Sequence, residues 1–497
     1  MAADSALLAS WFARAGDPRT AFEDPTGTTA WSDAVETSER VASALLAGRR
    51  SLEGERVALL VSPGARFVTA FFGVLRAGGA AVVLSPLHPP PETRYFCDDA
   101  GVRTIVTSPD LAERVAFLAP DRRVALVDHL AASPPGPPSP LASSDDPALQ
   151  LYTSGTTGKP KGAVITHGNL ATQQELLRSA WGWRAEDVLL HVLPLHHMHG
   201  LAIALLSAIG AGAATTFLPG FDARATWAAM ERATVFMAVP TIHAKLFGAL
   251  DAATAAERDA WTAHARALRL VTSGSAALPV RVGDRWRTLT GAYPLERFGM
   301  TEIGVGTTNP FAPSGRRPGT VGLPLPTVDT RIVDDELWIA GPSVFAGYHA
   351  KPEATETSFV VERGTRWFKT GDTVARDEDG YVRILGRTSV DILKSGGYKL
   401  SALEIEEALR EHAAVAEVAV VGIPDDTWGE RVVACVVPRA GRDAECAEDL
   451  LRGFAKERLA PYKVPRQVLL LKELPRNAIG KVVKPVLRDQ VTTLTSP

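Results

Sequence analysis

Leu149-Gln150-Leu151-Tyr152-Thr153-Ser154-Gly155-Thr156-Thr157-Gly158-Lys159-Pro160-Lys161-Gly162 runs from an apolar, strand-like segment straight into a loop of glycines, hydroxyls and lysines. Glycines let the backbone approach an anion, hydroxyls donate hydrogen bonds to it, and lysines neutralise its charge. This is not a Walker loop, which needs Ser or Thr after its lysine; here Pro160 follows Lys159 and stops a helix from starting. Thr153, Ser154, Gly155, Thr156, Thr157, Gly158 and Lys161 are therefore candidate phosphate-binding residues. The plainer alternative is a solvated turn, because Gly, Ser and Thr are common loop formers.

Working outward, apolar runs without polar alternation occur at Val57–Val61, Ala81–Leu84, Val102–Thr107 and Val124–Val127 before the loop. A helical stretch, Arg66–Arg76, ends at Gly78-Gly79. Further runs follow at Val188–Val192, Thr215–Leu218, Val235–Val239 and Leu268–Thr272, with helical segments between them. This rhythm predicts an α/β portion with doubly wound parallel sheets covered on both faces, whose ligands bind at the carboxyl ends of the strands. Ala131–Asp146, rich in proline, reads as a surface linker. From Thr388 the pattern changes to helix Ala402–Glu411, strands Val418–Gly422 and Val432–Val437, helix Ala447–Leu459 and strand Val468–Leu470. The expected organisation is a large N-terminal domain, 1–387, with a small β subdomain, and a small mobile α+β domain, 388–497.

Composition narrows the partners. With 46% hydrophobic and 22% charged residues the chain is neither disordered nor a coiled coil. A net charge of −3 argues against nucleic acid as the main partner. Three cysteines (Cys97, Cys435 and Cys446) lack metal-ligand spacing and fit a reducing compartment. Met1–Gly16 has no basic region leading into a long apolar core, and no uncharged run spans a bilayer, so the expectation is a soluble, cytoplasmic protein without a membrane partner.

The loop and the motifs after it, in order, resemble the adenylate-forming superfamily of acyl-CoA synthetases, adenylation domains and luciferases. Ser273-Gly274-Ser275-Ala276-Ala277 resembles its adenine-lining segment, and Phe298-Gly299-Met300-Thr301-Glu302 its aromatic-Gly-x-Thr-Glu motif. Thr370-Gly371-Asp372 and Gly386-Arg387 resemble its ribose-binding pair, and Pro475-Arg476-Asn477-Ala478-Ile479-Gly480-Lys481 its terminal lysine motif. The resemblance covers nearly the whole chain and implies ATP, Mg²⁺ and coenzyme A. Attack of a carboxylate on a phosphoryl group gathers negative charge, so such chemistry is mostly positioning and electrostatics. The resemblance makes Lys481 the cation for the α-phosphate, assisted by Thr156, and Glu302 the Mg²⁺ ligand. Ser275, Ala276, Ala277, Arg297, Phe298, Gly299, Met300 and Thr301 would surround the nucleotide, with Asp372 and Arg387 on the ribose. A hinge is implied within Thr388–Asp391, Asp391 being the best single candidate, with Lys394, Ser395, Gly396, Gly397 and Tyr398 in the segment that enters for thioester formation.

Substrate choice rests on Arg297, where fatty-acid and aryl relatives usually carry a small residue. A guanidinium would clash with an alkyl tail but pair with a second carboxylate, and would discriminate against acids that leave it unpaired. Its bland alternative is an internal pair with Glu296 or another acid. The surroundings of Arg297 also resemble malonyl-CoA and methylmalonyl-CoA synthetases. His199, Ser273, Thr241 and Val305 join Arg297 as acid-site candidates, Thr241 and Val305 near the α-carbon. His196, His197 and His199 do not have helical metal-ligand spacing, so packing or a pocket wall is expected of them. Between Arg331 and Trp338 the chain is shorter than its relatives, which predicts a trimmed turn. The expected activity is an AMP-forming malonate–CoA ligase that also takes methylmalonate, acting as a monomer or weak homodimer. The rivals are a medium-chain or aryl acid–CoA ligase, an adenylation enzyme that loads a carrier protein, and an inactive ATP-binding protein.

Overall fold

The computed structural model describes residues 5–136, 142–153, 159–395, 398–425, 427–476 and 482–495. Two large sheets carry the N-terminal portion. In the first, strands run in the order Gly347–Tyr348, Lys161–Thr166, Pro147–Thr153, Ala80–Val83, Arg56–Leu60, Thr104–Thr107, Arg123–Leu126. The last five are parallel, as their non-alternating apolar sequences require, while Lys161–Thr166 and Gly347–Tyr348 add antiparallel at one edge.

The second sheet has nine strands, in the order Leu323–Pro324, Gly304–Thr308, Leu295–Met300, Leu270–Ser273, Val235–Ala238, Val188–His191, Ala214–Phe217, Thr20–Asp24, Gly27–Ala30. Its edge hairpin, Thr20–Asp24 with Gly27–Ala30, lies parallel to Ala214–Phe217, a partner far away in sequence. Fully buried Phe22 holds it there against Trp31 and Phe217, at ring separations of 5.3 and 6.3 Å. Helix His167–Ala180 is started by a capping box: Thr166 Oγ1 accepts the Asn169 N–H at 3.1 Å, and the Asn169 side chain accepts the Thr166 N–H at 3.0 Å. A third sheet places Asp329–Val333, Glu336–Ala340, Thr365–Arg376 and Phe359–Glu362 in that order, with Val382–Arg387 also on Thr365–Arg376. The shortened hairpin closes in two residues, Asp334 and Asp335, both at positive φ (51° and 70°), a conformation that suits the twist of flanking strands.

Contacts divide the chain into two compact units, Met1–Thr330 with Ile339–Phe368, and Arg331–Trp338 with Lys369–Pro497. Contact density thus groups residues 369–387 with the C-terminal unit, because Thr365–Arg376 pairs with Val382–Arg387. Within that unit a five-stranded sheet is organised around Val415–Asp425 and Gly429–Pro438, buried on both faces. Val418, Val420 and Val432 face helix Ala402–Arg410, while Ala419, Val421 and Val433 face Leu487 and Val491 of the last helix, Lys484–Thr495. No helix among the described residues is long and apolar enough to cross a membrane.

Candidate active site

Thr153 ends one strand and Lys161 begins the next, and the two are register partners. Ser154, Gly155, Thr156, Thr157 and Gly158 lie outside the described residues, as do Gly396, Gly397 and Lys481. Beside the strand ends, buried Glu302 gathers oxygen donors: Tyr348 OH donates to its Oε1 at 2.9 Å, and Thr153 Oγ1 lies 3.5 Å away. Lys161 Nζ sits 5.0 Å from the centre of the Tyr348 ring, adding a cation. Tyr348 had no motif to mark it; only the pairing of Gly347–Tyr348 with Lys161–Thr166 brings it here. One carboxylate with neighbouring hydroxyls suits an ion such as Mg²⁺, which keeps several waters and completes its shell with substrate phosphates. No group of three His, Cys, Asp or Glu among the described residues could hold a metal without substrate.

The second cluster lies along the hairpin of Leu295–Met300 and Gly304–Thr308, between whose strands Glu302 sits. Arg297, on strand Leu295–Met300, is 4% exposed, and its Nε and one terminal nitrogen find no hydrogen-bond partner. Burial pushes the guanidinium down to about 9, with no carboxylate offsetting it. Glu296 does not supply the pair: its Oε1 accepts the Gly319 N–H at 2.9 Å. The guanidinium lies against Gly274, where a Cβ would be only 2.5 Å from Arg297 Nε, so the small residue after Ser273 makes its room. Ser273 Oγ is also buried without a partner.

His199 completes this cluster. It begins a wide π-helical turn, His199–Leu205, an irregularity frequent at functional sites. Its Nδ1 meets Ser275 Oγ at 3.2 Å, and its Nε2 is buried without a partner. Burial, and then the nearby positive charge of Arg297, hold this imidazole neutral. Ser275 itself adopts φ 68°, uncommon for a non-glycine residue, and with Ala276 and Ala277 is exposed. Phe298, Gly299, Met300 and Thr301 are half-buried, and Val305 is fully buried. Thr241 is exposed at the second position of helix Pro240–Asp251. His196 and His197 pack with their rings tilted at 4.2 Å between centres, half-buried and held neutral by desolvation, which is the packing role expected of them.

In the C-terminal unit Asp372 and Arg387 face each other across paired strands, Arg387 Nε lying 3.2 Å from Asp372 Oδ1. Asp391 is held on both sides, its Oδ2 accepting the Arg387 N–H at 3.0 Å and its Oδ1 accepting Lys484 Nζ at 2.5 Å. Lys484 also pairs with Glu406 at 2.6 Å. Burial pulls the Lys484 pKa down, but Glu406 and Asp391 outweigh it and hold it above the usual lysine value. Neither Lys484 nor Glu406 belongs to a motif, so this network was not legible in sequence. Lys394 is exposed with its N–H on Glu430 at 2.6 Å, Ser395 is buried, and exposed Tyr398 stacks on Tyr462 at 4.5 Å.

Two strand ends meeting a buried glutamate with hydroxyl neighbours, joined in sequence by a run of glycines and hydroxyls, at the edge of doubly wound sheets and followed by an α+β unit, define a nucleotide-activating enzyme. The chain belongs to the AMP-binding enzyme family, whose profile matches residues 9–349, and its C-terminal companion profile matches 404–481. It is 39% identical to the mitochondrial malonate–CoA ligase ACSF3 of Bos taurus over 547 aligned positions, covering 99% of this chain and 92% of that one. Among solved structures, ATP-bound MatB from Rhodopseudomonas palustris superimposes with a TM-score of 0.89 at 33% identity, covering 99% and 100% of the two chains. A malonyl-CoA ligase ternary product complex, with methylmalonyl-CoA and AMP bound, gives 0.68 at 37% identity, covering 93% and 97%.

Proposed function

We propose that this chain is an AMP-forming malonate–CoA ligase. One malonate carboxylate attacks the α-phosphorus of ATP, pyrophosphate leaves, and the thiol of coenzyme A then displaces AMP from the malonyl-adenylate. The observation that carries the choice of acid is Arg297, a buried guanidinium with no carboxylate partner, on the hairpin that also bears Glu302. A second substrate carboxylate would supply its missing partner with a charge-assisted, bidentate hydrogen bond. A monocarboxylate would leave the charge buried and unpaired, and would be selected against.

The remaining roles follow from the chemistry of the side chains. Neutral His199, steadied by Ser275, presents Nε2 to the acid without adding charge to the site. Glu302, with Thr153 and Tyr348 beside it, would hold a Mg²⁺, whose charge would offset that of the ATP phosphates. Asp372 and Arg387 serve the ribose, and Lys481 with Thr156 the α-phosphate. Val305 and Thr241 flank the α-carbon, and methylmalonate is the second substrate. Residues 388–497 move about Asp391 between the two half-reactions, a known way of completing a site in stages. The free, buried thiols Cys97, Cys435 and Cys446 support a reducing, cytoplasmic setting. The test is a panel of malonate, methylmalonate, octanoate and benzoate with free coenzyme A, reading AMP and thioester. Thioester from malonate, a smaller yield from methylmalonate and none from the monocarboxylates is expected; absence of malonate turnover overturns the reading.

A further inference from the structure

The hairpin carrying Arg297 and Glu302 is irregular. Its partners run Arg297↔Thr308, Phe298↔Thr307, then Gly299↔Val305, so the ladder shifts between Phe298 and Gly299. A bulge of this kind disrupts local pairing and re-aims the chain beside it. Here the Val305 N–H is satisfied from outside the sheet: Gln173 Oε1, reaching from helix His167–Ala180, accepts it at 2.7 Å. An amide oxygen only accepts, so this bond fixes which way the Gln173 side chain is turned. Its Nε2 is then buried without any partner, in a residue only 3% exposed.

That orphan argues against a purely structural role. A buried amide donor left unsatisfied costs about 1–3 kcal/mol, which roughly offsets what satisfying the Val305 N–H contributes, so the residue adds little net stability. The contact is also tight from the other side. Gly304 stands at φ 68°, and a Cβ on it would lie 1.7 Å from Gln173 Oε1, so both the backbone conformation and the space require glycine. On its opposite flank the turn is tied by Phe345 N–H to Glu302 O at 2.8 Å and by Ser343 Oγ to Ile303 O at 3.1 Å. Glu302 therefore sits in a turn tied on two sides, with Gln173 securing its return strand.

We propose that Gln173 is a positioning residue for adenylation, holding the bulged register so that the Glu302 carboxylate meets Tyr348 OH and Thr153 Oγ1. The inference rests on the reading of Glu302 as the Mg²⁺ ligand. Its test compares the full-length wild type with Gln173→Met, Gln173→Glu, Gly304→Ala and the Gln173→Met/Gly304→Ala double variant. The readouts are malonate-dependent pyrophosphate release against Mg²⁺ concentration, and the thermal midpoint. Gln173→Met should raise the half-saturating Mg²⁺ concentration and lower the maximal rate, each by about tenfold, with a nearly unchanged midpoint, because the Nε2 orphan it removes is replaced by the Val305 N–H it strands. Gln173→Glu should stay within about threefold of wild type, because a carboxyl buried this deeply protonates and still accepts the Val305 N–H. Gly304→Ala should match Gln173→Met, and the double variant should be no worse than either, since the two changes break one contact. Wild-type kinetics in Gln173→Met, or equal damage in Gln173→Met and Gln173→Glu, overturns the proposal. If Gln173→Met does not fold, the Gly304→Ala kinetics decide alone. Failure of the functional reading looks different: wild type would release no pyrophosphate with malonate, or Glu302→Gln would leave the Mg²⁺ dependence intact.

Discussion

Replacing Arg297 with methionine separates the acid-recognition argument from everything else about the protein. The side chain is 4% exposed with two nitrogens unsatisfied, and burial alone depresses its pKa. A guanidinium does not give up its proton at working pH, so the depression measures a charge desolvated without compensation. In the free enzyme that charge lowers stability, and a methionine of similar reach removes the penalty; the variant should be as stable as wild type or more so, by about 1–4 kcal/mol. In the malonate complex the same charge is paired, and losing one partner of a buried charge pair costs about 2–5 kcal/mol. At 1.4 kcal/mol per tenfold, kcat/KM for malonate should fall by roughly one and a half to three and a half decades. The assay is coenzyme A consumption with malonate and with butyrate, alongside urea unfolding with and without saturating malonate. Wild type should gain about 2.7 kcal/mol at malonate concentrations a hundredfold above Kd, and the variant should lose that gain while accepting butyrate better. A variant that keeps malonate kinetics, or that is destabilised by several kcal/mol, refutes the assignment, because Arg297 would then have an internal partner.

Other outcomes follow from the same geometry. Glu302→Gln should cut Mg²⁺-dependent pyrophosphate release by about 10²–10³-fold, and Tyr348→Phe by about tenfold, measured at saturating ATP. Desolvation pushes His167, His191, His197 and His243 down to about 4 in the folded chain. The unfolded chain binds those protons near pH 6.5, so the stability they contribute is present above that pH and lost as pH falls towards 4; a urea series should show it, and His243→Gln should flatten the slope. Lys484→Met takes the shared cation from half-buried Asp391 and buried Glu406, which keep the Arg387 N–H and the Val420 N–H with Arg410 respectively, and should lower unfolding stability by about 1–3 kcal/mol, whereas Lys484→Arg should recover most of it. Native protein should leave Cys97 and Cys435 untouched by a thiol reagent at pH 8, burial having raised them to about 11 and 12, while urea-unfolded protein reacts at once.

The sequence by itself determined the parallel strands, because runs such as Val57–Leu60 and Val235–Ala238 are apolar at successive positions and fit only a sheet covered on both faces. It also marked the glycine-rich loop, Glu302, Asp372 with Arg387, and Arg297, since glycine conformations and charge chemistry are written in residue type and spacing. Tertiary structure alone decided whether Arg297 is paired, because Glu296 is adjacent in sequence and only the fold turns its carboxylate towards Gly319. It decided too that the Thr20–Ala30 hairpin joins the second sheet, that Tyr348 reaches Glu302, that Gln173 answers a bulged strand, and that Lys484 bridges Asp391 and Glu406. Each of these joins residues far apart in the chain through strand pairing, hydrogen bonds, ion pairs or ring contacts. Such a meeting leaves no period or composition behind, so it is fixed only when the sheets and helices pack.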